Sequence, residues 1–233
     1  MNRATFFARV RGPLFGGRLT ASQVAGIERI LDEAQKRQTP LYWLAYILAT
    51  CYHETARTMQ PIREFGRGRG KQYGKPTKHG GQIAYGRGDV QLTWDFNYDR
   101  ADKELGLNGA LIRNYDLALD PAISARIMFT GMEEGWFTGR KLTPGPATYK
   151  TWRRIINGTD KDDEIAAIAV SFEAALRAAG YGTALDTSTA PVAPAPQPSP
   201  AEAPASTPSQ PAPAPAPKQG FWSRVMANWK KQS

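Results

Sequence analysis

Eleven consecutive residues, Tyr42-Trp43-Leu44-Ala45-Tyr46-Ile47-Leu48-Ala49-Thr50-Cys51-Tyr52, carry no charge and are apolar or aromatic nearly all the way round a helix. Such a helix has no face to give to water, so it belongs at the centre of a domain and the other elements must pack around it. Reading it as a helix from about Leu41 to Arg57, after a break at Gln38 to Pro40, puts His53-Glu54-Thr55 near its end. Ten residues on comes a second carboxylate, Glu64, inside Arg63-Glu64-Phe65-Gly66-Arg67-Gly68-Arg69-Gly70. Tyr85-Gly86-Arg87-Gly88 then leads into Asp89 to Trp94, whose alternation predicts a strand. Val90, Leu92 and Trp94 would face one way and Asp89, Gln91 and Thr93 the other. Two carboxylates in contrasting surroundings, beside a strand with one polar face, suggest a hydrolytic cleft.

The remaining elements read as mostly helical. Thr20-Ala21-Ser22-Gln23 is a capping box opening a helix to about Lys36, with Val24, Ile27, Ile30 and Leu31 on one face. Met59 to Gly88 is rich in glycine, proline, arginine and lysine and predicts an irregular loop with room for a short hairpin. Further helices are expected from Asn97 to Leu105, from Asp120-Pro121 to Glu134, from Thr148 to Ile156 and from Asp163 to Ala179. The domain, residues 1–185, is therefore expected to be mainly α with a small β element.

Composition changes after Asp186. Residues 190–217 hold eleven prolines and nine alanines, too little apolar surface to fold and too much proline for a helix, so 186–220 reads as an extended linker. In 221–233, Phe221, Trp222, Val225, Met226 and Trp229 share a helical face with Arg224, Lys230 and Lys231 off it. That segment is too short to span a bilayer; it suits an anionic interface, a dock on its own domain, or no fixed structure. The formal charge is +9, which favours polyanionic partners: nucleic acid, anionic membrane or bacterial wall. A single cysteine, Cys51, excludes an internal disulfide and a thiolate metal cluster. Arginines run through Met1 to Arg11 where a signal peptide would be apolar, so synthesis and first residence in a cytoplasm are expected.

Inverting hydrolysis of a glycosidic bond takes a protonated carboxyl for the leaving oxygen and an ionised one to activate water. Glu54, at the C-terminal end of a buried helix, meets the negative end of the dipole and a desolvating core, and both favour its uncharged form. Arg57 opposes this if it faces the same way. Glu64, with Arg63, Arg67 and Arg69 around it, suits the base. From spacing alone the plainer account, Glu54 paired with Arg57 and Glu64 in a solvated charged loop, is the stronger one.

The motifs in order shift that balance. His53-Glu54-Thr55, Glu64 in its Arg/Gly loop, Tyr85 through Tyr98, Asp120-Pro121-Ala122-Ile123-Ser124 and Ile155-Ile156-Asn157-Gly158 resemble those of family 19 glycoside hydrolases, over roughly residues 5–180. Within that family the chain looks most like the endolysins of bacteriophages of Gram-negative hosts, where Gly131 to Leu142 also belongs. The resemblance implies a two-lobed, lysozyme-like domain cleaving a β-1,4-linked N-acetylated glycan with inversion, without metal or organic cofactor. It implies Glu54 as general acid, Glu64 as general base, Thr93 as the hydroxyl that helps hold the attacking water, and Gln91, Asn97 and Asn157 as polar residues lining the sugar cleft. Tyr85, Trp94, Tyr98, Trp136 and Trp152 could stack on sugars, and each would serve a core equally well.

The segment between the two glutamates is much shorter than in the family's plant chitinases and the plant disulfides are absent, which suggests an open cleft suited to a peptide-substituted glycan. The expectation is an endolysin acting as a monomer on peptidoglycan strands. A holin would release it from the host cytoplasm to the periplasm, and 221–233 would meet the anionic membrane or outer envelope. Its rivals are a chitinase and a non-enzymatic wall- or nucleic-acid-binding module. Gly66 to Lys71 meets neither the dinucleotide nor the phosphate-loop spacing; a nucleic-acid-binding arginine-glycine segment is the weaker reading of it, and no nucleic-acid partner is expected. His53-Glu54-Thr55-Ala56-Arg57 lacks the second histidine of a zinc protease. A Cys51–His79 nucleophile is disfavoured by the apolar helix around Cys51.

Overall fold

The computed structural model describes residues 1–144 and 149–182. The expected linker and terminal segment lie outside them. The chain opens with α1 (Arg3–Phe15), capped by the Asn2 side chain, which accepts from Thr5 N at 2.9 Å. This helix was not expected, because arginines interrupt its apolar pattern. Its inward set is Phe6, Val10 and Leu14, one residue every turn. The helix α2 (Ala21–Arg37) begins with the expected capping box, Thr20 and Gln23 satisfying each other's backbone amides.

The apolar run forms α3 (Leu41–Glu54), buried continuously from Leu44 to Tyr52. It ends at Glu54, not Arg57. Thr55 Oγ1 donates to Cys51 O and accepts from Met59 N, and the backbone then turns through positive φ at Ala56, Arg57 and Met59. The helix C-terminus is thus folded back beneath Glu54, and Arg57 sits over the Tyr52 ring at 5.6 Å.

The sheet is a single antiparallel pair, β1 (Ile62–Arg63) with β2 (Arg87–Gly88), in the register Ile62 to Gly88 and Arg63 to Arg87. The strand expected over Asp89 to Trp94 is absent. Arg87 and Leu92 instead exchange two backbone hydrogen bonds, at 3.1 and 2.8 Å, closing a tight reversal with positive φ at Gly88 and Gln91. Alternation therefore fails. Asp89 points away from Gln91 and Thr93, fully buried against Arg29 Nη1 and Nη2 at 2.8 and 2.9 Å.

Beyond this reversal come α4 (Asp95–Glu104), starting two residues before its expected Asn97, and a short α5 (Ala110–Arg113). The helix α6 (Pro121–Glu134) is capped as expected by Asp120, which accepts from Ala122 N and Ile123 N at 2.9 Å. Last are α7 (Tyr149–Ile156) and α8 (Asp162–Ala178), the latter packing on α1, α3 and α7. Residues Met1–Thr183 form one compact unit, mainly α with a small β element as the sequence implied. Among the described residues no helix is long and apolar enough to cross a membrane.

Candidate active site

Glu54 is the last residue of α3, and its side chain is 2% exposed. Its partner is not Arg57 but Arg153 of α7, whose Nη1 donates to Glu54 Oε1 at 2.9 Å from a completely buried guanidinium. Arg153 Nε donates to Asp160 O at 2.9 Å, so the fork is held from both sides. The dipole-and-burial argument for Glu54 thus left out a positive charge packed against it. Thr50 and Tyr46 lie one and two turns back along the same face of α3, both buried. Burial pushes the Tyr46 phenol well above its ordinary range. Burial also lowers the pKa of His53, which favours the neutral imidazole beside the pair. Asn157, just past α7, donates its backbone N–H to Arg153 O at 2.9 Å, and its Oδ1 accepts from Gly158 N at 2.8 Å.

Glu64 follows β1 and is also buried, 8% exposed. Its two oxygens each take one donor: the Tyr73 hydroxyl on Oε1 at 3.0 Å and Gly86 N on Oε2 at 3.1 Å. Burial and the neighbouring Glu64 carboxylate push the Tyr73 phenol up, so it stays protonated and donates. The expected arginine cage is absent. Arg63 turns to Asp116 at 2.8 Å, and Arg67 and Arg69 form no ion pair among the described residues. A Cβ on Gly86 would lie 2.9 Å from Gln91 Oε1 and 3.4 Å from Glu64 Cβ, so a side chain there would push on both the Gln91 amide and Glu64.

Gln91, Thr93, Trp94 and Asn97 gather on the Glu64 side. Gln91 Nε2 donates to Ile62 O and Gly88 O, both at 3.1 Å. Thr93 Oγ1 donates to Gln91 O at 2.7 Å and Asn97 Nδ2 to Thr93 O at 2.9 Å. Trp94 packs edge-on against Tyr73, centroids 5.5 Å apart, and stacks on the exposed Phe96 at 6.0 Å. Tyr85 sits under the Arg87 guanidinium at 3.6 Å. Tyr98, Trp136 and Trp152 are buried, 5% exposed or less, and Tyr98 OH donates to Tyr85 O. The structure therefore collects the candidates in two groups, Glu54 with Asn157 through Arg153, and Glu64 with Gln91, Thr93, Trp94 and Asn97. Cys51 is buried, its thiol pushed up by desolvation, and it faces Asp89 rather than His79. Among the described residues no three His, Cys, Asp or Glu side chains are placed to hold a metal ion.

Arg153 and Tyr73 were missed from the sequence. Arg153 had a signal, since it falls among Tyr149, Trp152 and Ile155 on the inward face of α7. Tyr73 had none.

No family model matches the chain. Over 70 residues it is 36% identical to Endochitinase 1 of Theobroma cacao, a match covering 30% of this chain and 19% of that protein's length. Among solved structures, chitinase C from Streptomyces griseus HUT6037 aligns with 23% identity over 78% of each chain, with a TM-score of 0.47. A bacterial family 19 chitinase aligns with 21% identity over 76% of this chain and 93% of its own, with a TM-score of 0.45.

Proposed function

We propose that this chain is a chitinase-like glycoside hydrolase of the family 19 type, cleaving β-1,4-linked N-acetylated glycan with inversion. The observation that carries this reading is the pair of buried carboxylates in unlike surroundings: Glu54 against a sealed guanidinium, Glu64 held only by a phenol and a backbone amide. Desolvating a carboxylate costs several kcal/mol, roughly, before partners are counted. Glu54 and Glu64 bear that cost inside two of the motifs that resemble the family's, and their unlike partners suit two different roles.

In this reading protonated Glu54 gives its proton to the glycosidic oxygen as the bond to the anomeric carbon breaks. Glu64 takes a proton from the water that attacks the opposite face, so the new hydroxyl has inverted configuration. Arg153 then faces the carboxylate that Glu54 has become. Thr93, fixed through Gln91 and Asn97, is the hydroxyl assigned to the water.

The endochitinase similarity favours a polymer of N-acetylglucosamine as substrate. A second reading, peptidoglycan backbone cleaved during host lysis, is supported by the +9 charge and by the short segment between the glutamates. Incubation with an N-acetylglucosamine hexamer and with purified sacculi, followed by proton NMR of the fresh anomers, tests both. Inverted products from either would support the reaction; no cleavage of either by folded protein would end it.

A further inference from the structure

The loop joining β1 to β2 has an outer face that the candidate chemistry does not use. Between Glu64 and Asp89 the chain holds no acidic residue, and Arg67, Arg69, Lys71 and Lys75 fall close together near the start of that stretch. The cations that bracket them are matched, Arg63 to Asp116 at 2.8 Å and Lys78 to Asp99 at 3.1 Å. Among the described residues Arg67, Arg69, Lys71 and Lys75 form no ion pair. Phe65, beside them, is 76% exposed, more than any other large apolar side chain among the described residues.

These side chains belong to one compact knob. Successive turns close it: Arg67 N donates to Glu64 O at 3.1 Å, Arg69 N to Gly66 O and Lys71 N to Gly68 O at 2.9 Å, and Gly74 N to Lys71 O at 3.0 Å. Gly68 and Gly74 meet back to back, since a Cβ on Gly68 would lie 2.7 Å from Gly74 Cα. Their Cα atoms are therefore about 4 Å apart at most, and with about 3.8 Å per residue those of Arg67, Arg69 and Lys75 fall within about 12 Å of one another. On the inner side Glu64 and Tyr73 are buried against each other. Phe65, Arg67, Arg69 and Lys75 are exposed, so one small surface carries an apolar ring and a cluster of positive charge.

We infer that this knob docks on an anionic lipid bilayer, Phe65 entering the interfacial layer and Arg67, Arg69 and Lys75 meeting headgroup phosphates. The site is distinct from the terminal segment 221–233, and the inference does not depend on hydrolysis. A lone exposed ring is ordinary on a protein surface. A ring set among cations, with no exposed acid on the same knob, has the two features that bind an anionic interface, apolar insertion and charge attraction. Arginine and lysine stems lie along the apolar layer while their heads stay with the phosphates. A single-stranded nucleic acid would meet the same charge, but such strands are held on successive aromatic rings along a groove, and this knob offers one ring.

The test is backbone hydrogen exchange of the full chain, alone and with phosphatidylcholine vesicles, phosphatidylcholine–phosphatidylglycerol vesicles or single-stranded RNA. Amides of 65–72 should exchange more slowly on the anionic vesicles and at the unbound rate with the other two. Arg67→Gln/Arg69→Gln/Lys75→Gln should remove that protection and lower partition onto the anionic vesicles about a hundredfold, a factor of about five for each cation. Phe65→Ser alone should lower partition about tenfold, the yield of burying part of one ring. The amides of α3 report in each case that the variant is folded, and 221–233 is common to all, so the differences belong to the knob. Unchanged exchange at 65–72 on anionic vesicles would overturn the inference, as would protection that survives the triple variant. Protection by RNA and not by vesicles would overturn it too, and would assign the knob to nucleic acid.

Discussion

Arg153 and Glu54 meet at 2.9 Å although 99 residues separate them, and neither side chain has more than 2% of its surface in water. The pair fastens α7 to the end of the central helix, so the candidate acid and the helix that leads into Asn157 are set by one contact. Removing one member of a buried pair strands the other. Arg153→Met should cost about 3–5 kcal/mol of stability, read from urea melts, and abolish hydrolysis. Glu54→Gln leaves the Arg153 guanidinium without its counter-charge in the same way and should also cost about 3–5 kcal/mol, with hydrolysis abolished in the fraction that folds. If Arg153→Met melted with the parent, the pair would not be the fastening described.

Tyr73 supplies one of the two donors on Glu64. A hydrogen bond to a charged group is worth about 1.5–3 kcal/mol. Tyr73→Phe should therefore lower kcat by roughly ten- to a hundredfold, with KM little changed. A rise in KM at constant kcat would mean that the phenol binds sugar instead.

Asp89 was expected on the polar face of a strand and lies instead in the core against Arg29. Asp89→Asn should thus behave as a stability variant. A loss of about 3–5 kcal/mol is expected in denaturant melts, with the kcat of the folded fraction unchanged. A well-folded, inactive Asp89→Asn would return this residue to the site.

His53 has its pKa lowered from 6.5 by burial, so the folded chain binds fewer protons there than the unfolded chain. Its contribution to stability is full above pH 6.5 and is lost as pH falls from 6.5 toward the folded pKa. Asp116 and Glu164, with pKa values lowered from 3.8 and 4.5, lose theirs further down in acid. Melting temperature should fall between pH 7.5 and 5 in the parent and fall less in His53→Gln. Parallel curves for the two proteins would show that another group carries this limb.

Local signals were legible where one short stretch determined the outcome. The Thr20 capping box, the Asp120-Pro121 start and the apolar run of α3 each specify an element without outside help. Readings failed where a distant partner decided. Asp89 to Trp94 alternates like a strand, but Arg29 pulls Asp89 inward and positive φ at Gly88 and Gln91 turns the chain. Glu64 stands among arginines in sequence, yet Arg63 is taken by Asp116. Glu54 was legible as a carboxyl on a buried helix end, whereas its guanidinium partner was not, because only folding brings α7 there.

Cys51 lies at the middle of this arrangement, with none of its surface exposed. Because it is the chain's one thiol, a thiol reagent has a single target, and that target is reached only when the central helix leaves its packing. Modification kinetics then count openings of the core directly. The protein carries an internal clock for its own unfolding, readable without an added label and in the presence of substrate.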